Sequence, residues 1–407
     1  MHPLIYDWND HPDAPRPSEV LLNDETLRDG LQSPSVKSPT IEQKLRILHL
    51  MERLGMDTAD IGLPGAGPHV VADVERLALE IRDQKLRIQA NCAARTVIAD
   101  IRPIAAISQR VGIPIECCAF IGSSPLRQYA EGWTLDQLLR LSEEAITFAV
   151  KEQLPVMYVT EDTTRASPEN LRALYSCAIR AGAKRVCVAD TVGHSTPFGS
   201  AAVVRFIKQV VDDCGGGVGI DWHGHRDRDF AIANTLSALD AGATRLHGAA
   251  IGIGERVGNT PMDTLVLNLV LMGYIERDLT ALCEYCEAVS EATGVAIPPN
   301  YPVVGRDAFR TATGVHAAAV IKAFRKNDQA LVDAVYSGVP ASLVRREQQI
   351  DVGPMSGKSN VVFWLERHGY TPTDELVDRV FARAKKSNAV LTADEIKKEI
   401  EDARGGR

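Results

Sequence analysis

The sequence predicts an α/β protein, a (β/α)8 TIM barrel followed by a smaller α-rich C-terminal region. Three observations carry this expectation. Short runs rich in β-branched and apolar residues recur about every 25–35 residues, with amphipathic helical stretches between them. The alternation repeats eight times within about 230 residues, the count and length of a closed barrel. Polar residues such as Asp29, Glu161, Asp190 and His223 fall at or just after the C-terminal ends of the strand-like runs, where closure gathers them at one mouth. A doubly wound open sheet is the rival architecture, and the even spacing favours closure.

The strand candidates, in order, are residues 20–23, 58–63, 87–92, 113–120, 155–160, 185–189, 219–223 and 245–250. Among the helices, 43–54 carries Leu45, Ile47, Leu48, Leu50, Met51 and Leu54 at helical spacing, and 135–150 and 201–211 behave alike. Gly55, Gly182 and Gly242 follow helical stretches, the place of a left-handed C-terminal cap. The pattern changes near residue 275. Helices are expected at 279–293, 308–326, 361–368, 374–386 and 392–403, with a Pro-rich break at 297–304 and mixed structure at 331–352. The expected organisation is an N-terminal extension (1–17), a catalytic barrel (18–275), α-rich C-terminal subdomains (276–403) and a disordered tail (404–407).

Composition narrows the function. A chain of 407 residues that is 45% hydrophobic can bury one large core and further material besides. A net charge of −8 disfavours nucleic acid and anionic membrane as partners. No apolar run approaches the roughly 20 residues that cross a bilayer, and residues 1–17 have no basic segment leading into an apolar one, so neither a membrane span nor a secretory signal is expected. Cys92, Cys117, Cys118 and Cys187 sit in strand-like runs, as buried reduced thiols of a cytoplasmic protein do. Cys283 and Cys286 have no second pair to complete a zinc site. Three residues lie between Gly353 and Gly357 where a phosphate-binding loop needs four, so Ser356-Gly357-Lys358-Ser359 is structural.

The chemistry concentrates in three motifs. In His223-Gly224-His225, residues i and i+2 of a strand share a face, so both imidazoles can meet one metal ion. The bland alternative is a pair of half-buried histidines. At the end of the first strand, Arg28-Asp29-Gly30 offers a carboxylate for a mixed N/O site and a guanidinium to stabilise developing negative charge, or else a surface turn with an ion pair. In the eighth strand region, Gly252, Gly254 and Gly258 let backbone approach a ligand closely. His247 lies four residues before Ile251, about 13 Å deeper at roughly 3.3 Å per residue, a core or supporting position.

Taken together and in order, Leu-Arg-Asp-Gly-x-Gln at 27–32, His-x-His at 223–225 and Gly-Ile-Gly-Glu-Arg-x-Gly-Asn at 252–259 resemble the pyruvate-carboxyltransferase-like metal barrels. That superfamily includes isopropylmalate, citramalate and homocitrate synthases and hydroxymethylglutaryl-CoA lyase. The resemblance covers roughly residues 18–275. It implies Asp29, His223 and His225 as ligands of a divalent metal (Mg2+, Mn2+ or Zn2+) and Arg28 as the catalytic arginine. It implies Gln32, Arg95 and Thr191 near the substrate and Glu161 at the catalytic site. Ile251 departs from the Asn that isopropylmalate synthases carry as a further ligand; homocitrate synthases have an aliphatic residue there. Ala90 stands where lysine-pathway homocitrate synthases place a His for the distal carboxylate of 2-oxoglutarate. Specificity within the family is therefore split.

After the barrel, Thr313-Gly314-Val315-His316-Ala317 resembles the Gly-x-His motif of the synthases, which the shorter lyases lack. The resemblance makes His316, with Tyr336, the acid–base pair, and implies a homodimer in which these groups serve the partner's barrel. The expected activity is condensation of acetyl-CoA with a 2-oxo acid to an alkylmalate-type acid and CoA, foremost of the isopropylmalate synthase type. Homocitrate or citramalate synthase, a lyase of the hydroxymethylglutaryl-CoA type and a catalytically silent binding protein are the alternatives.

Overall fold

A computed structural model describes residues 2–9 and 17–405, of residues 404 and 405 the backbone only. The chain forms two compact units: one is the barrel, running to Ala296, and the other holds residues 297–405 with the N-terminal 2–9.

In the barrel unit eight parallel strands close on themselves in sequence order. They are β1 (Leu21–Asp24), β2 (Thr58–Asp60), β3 (Gln89–Arg95), β4 (Ile115–Gly122), β5 (Val156–Glu161), β6 (Arg185–Asp190), β7 (Gly219–Gly224) and β8 (Arg245–Gly248). Closure is made by β1 and β8, with Leu21 opposite Arg245 and Asp24 opposite Gly248. Every strand candidate becomes a strand, but the ends shift. β2 stops at Asp60, because the chain turns at Gly62 (φ +150°) into a 3-10 turn at Pro64–Ala66. β1, β5, β6 and β7 run one residue past their apolar stretches, because polar Asp24, Glu161 and Asp190, and Gly224, still pair in the ladder.

Between the strands lie α1 (Ile41–Leu54), α2 (Pro68–Asp83), α3 (Ile98–Val111), α4 (Pro125–Glu131), α5 (Leu135–Lys151), α6 (Pro168–Ala181), α7 (Pro197–Asp213) and α8 (Ala231–Asp240). Thr40 and Gln43 cap α1 reciprocally, and Thr134 and Gln137 do the same for α5. Ser124, Ser167 and Thr196 each cap a helix that opens with Pro, which fixes where the loops at the mouth end. α9 (Met262–Leu271) and α10 (Leu282–Thr293) complete the unit. The expected boundary at 275/276 thus moves to 296/297. The cause is visible in Tyr285 of α10, whose hydroxyl donates to the Asp24 carboxylate and lies 3.0 Å from the Thr26 hydroxyl.

In the second unit, β9 (Arg310–Thr311) pairs with β10 (Gln349–Ile350); α11 (Gly314–Arg325) and α12 (Gln329–Ala334) lie between them in the chain, and α13 (Lys358–Arg367), α14 (Asp374–Lys385) and α15 (Ala393–Gly405) follow. The expected helix at 308–326 therefore starts only at Gly314, because Arg310 and Thr311 are taken into the ladder. Val361, Leu365, Val380, Leu391, Ile396 and Ile400 form one core, and Ala317, Ile321, Val332 and Phe363 a second. The expected tail at 404–407 is shorter: Arg404 and Gly405 prolong α15, which Thr392 caps and Ile396 and Ile400 anchor, while residues 406 and 407 lie outside the described residues. Residues 10–16 of the expected N-terminal extension also lie outside them. Among the described residues no helix is long and apolar enough to cross a membrane.

Candidate active site

The C-terminal ends of the strands enclose a cavity of about 270 Å³, lined entirely by residues of the barrel unit. β1 delivers the first cluster. Beyond Asp24 the chain turns through Glu25 and Thr26 into a 3-10 turn at Asp29–Gln32, which holds Arg28 and Asp29 at the opening. The Arg28 guanidinium meets three carboxylates: Nε donates to Asp60 at 2.9 Å, Nη1 to Asp29 at 2.9 Å, and Nη2 to Glu25. One cation cannot neutralise three buried anions. Burial pushes Asp60 up to about 7 despite Arg28, whereas Asp29 resists burial and is held below the usual carboxylate range by Arg28.

β7 delivers the histidines. His223 Nε2 and His225 Nε2 stand 3.2 Å apart, and Asp29 Oδ2 lies 3.7 and 3.8 Å from them. Burial pushes His223 down to about 3 and lowers His225, so both rings are neutral near pH 7. His223 Nδ1 faces Glu25 at 3.8 Å, so its proton belongs there and Nε2 is a bare lone pair. Two imidazole nitrogens and a carboxylate oxygen at these separations suit one cation with ligand bonds of about 2.1 Å. His225 Nδ1 is buried and has no hydrogen-bond partner, which also leaves Nε2 as the working atom. The donor set fits a divalent metal.

Other expected residues fall around this centre. Gln32, Glu161 and Thr191 line the cavity. Burial raises Glu161, against the pull of Arg127, whose Nη2 is 3.8 Å away. The Thr191 hydroxyl accepts the Asp162 backbone N–H at 2.8 Å, which leaves its own proton free to donate. Arg95 does not line the cavity; it pairs with Asp100 through bonds of 2.6 and 2.9 Å. His316 and Tyr336 belong to the other compact unit, where their rings stack with centroids 4.3 Å apart. Ser356 Oγ accepts the Gly353 N–H and donates to Ala312 O, so the Gly-Lys-Ser segment holds its own turn.

Four residues were not singled out by sequence as part of the site. Asn259 Nδ2 donates to Asp29 Oδ1 at 2.9 Å and leaves Oδ2 for the histidines. Glu25 and Asp60 hold Arg28. Asp221 grips His247, whose Nε2 is 2.8 Å from Asp221 Oδ2 and whose Nδ1 is 2.8 Å from Glu25 Oε1. His247 is accordingly a supporting residue, its ring 5.7 Å from that of His223. The only sequence signal for Asn259 was its place at the end of the Gly-rich run. Ile251 is buried and adopts left-handed backbone (φ +47°), a conformation Asn tolerates better than a β-branched residue. It does not line the cavity.

Residues 19–289 match the HMGL-like family. Homocitrate synthase AksA of Methanopyrus kandleri is 35% identical over 91% of this chain and 88% of its own length. The probable 2-isopropylmalate synthase of the same organism is 32% identical over 91% of this chain and 70% of its own. Among solved structures, HMG-CoA lyase of Bacillus subtilis superposes with a TM-score of 0.57 at 20% identity, covering 70% of this chain and 97% of that one, a likeness of fold. With a closed barrel, a three-residue donor set and a family match across the barrel, this chain belongs to the HMGL-like family.

Proposed function

We propose that this chain condenses acetyl-CoA with a 2-oxo acid, giving an alkylmalate-type 2-hydroxy acid and CoA. The observation that carries it is the convergence of Asp29, His223 and His225 beside Arg28, on a chain whose relatives are named as homocitrate and isopropylmalate synthases. A divalent ion (Mg2+, Mn2+ or Zn2+) held by Asp29, His223 and His225 supplies Lewis acidity to the carbonyl of the 2-oxo acid.

The chain's own groups do the rest. Arg28 has five N–H bonds and commits three to Asp60, Asp29 and Glu25, so two remain for the oxygen that gains negative charge. Thr191 donates its free hydroxyl proton to the substrate carboxylate. The acetyl methyl group loses a proton to a base, for which His316 is the candidate, its ring stacked on Tyr336. The resulting carbanion adds to the carbonyl carbon, whose oxygen takes up a proton. Water then cleaves the thioester to a carboxylate and the CoA thiol. In this proposal the working form is a homodimer, which sedimentation velocity tests.

The first experiment is thiol release from acetyl-CoA with Mg2+ or Mn2+ against a panel of 2-oxo acids. Release with at least one acid, abolished by chelator, is expected. Chelator-insensitive release, or none with any acid, would sink the proposal.

A further inference from the structure

The cavity is chemically divided, and the division bears on which 2-oxo acid enters. One side, from β7 through β1 to β2, holds the metal donors and Arg28. Below Glu161 and Thr191, which stand at the ends of β5 and β6, the side built by β3 to β6 is apolar: Ala93, Cys118, Phe120, Met157, Val159 and Cys187 line it. Cys118, Met157 and Cys187 pack as one cluster with Val159 against it.

Among the described residues of the barrel unit, the cations near that wall already face carboxylates. Arg245 Nη2 lies 3.2 Å from Met157 Sδ, but its charge is taken by Asp221 and by Glu116 at 2.6 Å. Arg95 is engaged by Asp100, and Arg127 stands 3.5 Å from Glu131 and 3.8 Å from Glu161. Five carboxylates, Glu25, Asp29, Asp60, Glu161 and Glu255, already line the cavity, and none of them can donate to an added carboxylate while ionised.

We propose that the 2-oxo acid carries an apolar side chain and no second carboxylate, and that Met157, at the deep end of the β3–β6 wall, sets the length of that side chain. This rests on the condensation reading. With its carbonyl beside the metal donors and Arg28 and its carboxylate on Thr191 at the end of β6, the substrate turns its side chain toward the apolar stretch below. A second carboxylate there loses its water and meets thiols, a thioether and a phenyl ring instead of a donor. Burying an unpaired carboxylate costs more than a methylene more or less, which changes the rate only about 10–200-fold.

The test uses the full chain loaded with Mg2+ or Mn2+. Thiol release is measured with 2-oxobutanoate, 3-methyl-2-oxobutanoate and 4-methyl-2-oxopentanoate, and with 2-oxoglutarate and oxaloacetate. Calorimetry follows binding of the same acids without acetyl-CoA. The best apolar acid is expected to exceed both dicarboxylic acids by at least about 100-fold in kcat/KM. A dicarboxylic acid within tenfold of it, in rate or in binding, would overturn the inference. Metal-dependent binding of the apolar acids without thiol release would sink the condensation reading and leave the side-chain inference standing. No binding of any acid would sink both. Met157→Ala is expected to move the preference about tenfold from 2-oxobutanoate toward 4-methyl-2-oxopentanoate; an unchanged preference would remove Met157 from the specificity role.

Discussion

Arg28 stands beside the candidate metal donors, and in the proposed reaction its value lies in geometry as much as in charge. A lysine keeps the charge but presents one point of contact, so it cannot hold Glu25, Asp29 and Asp60 apart and still face a substrate oxygen. Arg28→Lys should lower kcat by about 100–1000-fold while leaving metal stoichiometry intact, as a missing oxyanion donor does; loss of metal in that variant would make Arg28 structural. Asp24, one turn earlier, titrates in the opposite sense from a paired surface carboxylate. Burial pushes it up to about 6, more than the Thr26 and Tyr285 hydrogen bonds lower it. Its folded form binds the proton more tightly than the unfolded chain does. Its contribution is therefore fullest below about pH 4 and is lost as pH rises through about 6, an effect of up to about 3 kcal/mol. In urea unfolding, Asp24→Asn should remove that decline between pH 4 and 6, and an unchanged slope would refute the assignment.

At the scale of elements, β8 and β7 are tied to β1 by a buried chain of charges. Arg245 and Arg185 hold Asp221, Asp221 holds His247, and His247 holds Glu25, which faces both His223 and Arg28. Breaking the middle of the chain should loosen the ligand at its end. His247→Gln is expected to weaken metal affinity by about 10–100-fold in calorimetric titration of the metal-free protein; unchanged affinity would cut this link. The candidate donors were legible in the sequence, because strand parity puts His223 and His225 on one face and a carboxylate follows β1. Their supports were not. Asn259 reaches Asp29 across 230 positions, and Glu25 reaches His247 across 222, so no local pattern announces either pair. Strand identity was readable for a related reason. Strands of a closed parallel barrel, covered on both sides, form apolar runs, and in β5 and β6 the polar last residues Glu161 and Asp190 fall outside the run.

For the whole molecule, the two compact units differ in what a metal can do to them. The complete donor set lies in the barrel unit, and two of its three ligands sit on opposite sides of β8: Asp29 after β1, His223 at the end of β7. An ion joining them binds the folded barrel and not the unfolded chain, which stabilises the fold by about 2.7 kcal/mol at a hundredfold excess over Kd. The ladder partners are part of that closure, since β1 pairs with β8 and β8 with β7. The sequence placed the change of architecture near residue 275, where the eightfold rhythm stops. It could not show that α10 returns to the barrel, because the Tyr285–Asp24 contact spans 261 positions. Hydrogen exchange on the full chain reads these relations together. Adding Mg2+ or Mn2+ should slow exchange in peptides covering 21–32, 219–226 and 245–259, and leave those covering 361–400 as they were. In Asp29→Asn the protection should vanish from all three barrel segments at once. Equal protection of 361–400, or protection that survives Asp29→Asn, would place the ion elsewhere and dissolve the site derived from Asp29, His223 and His225.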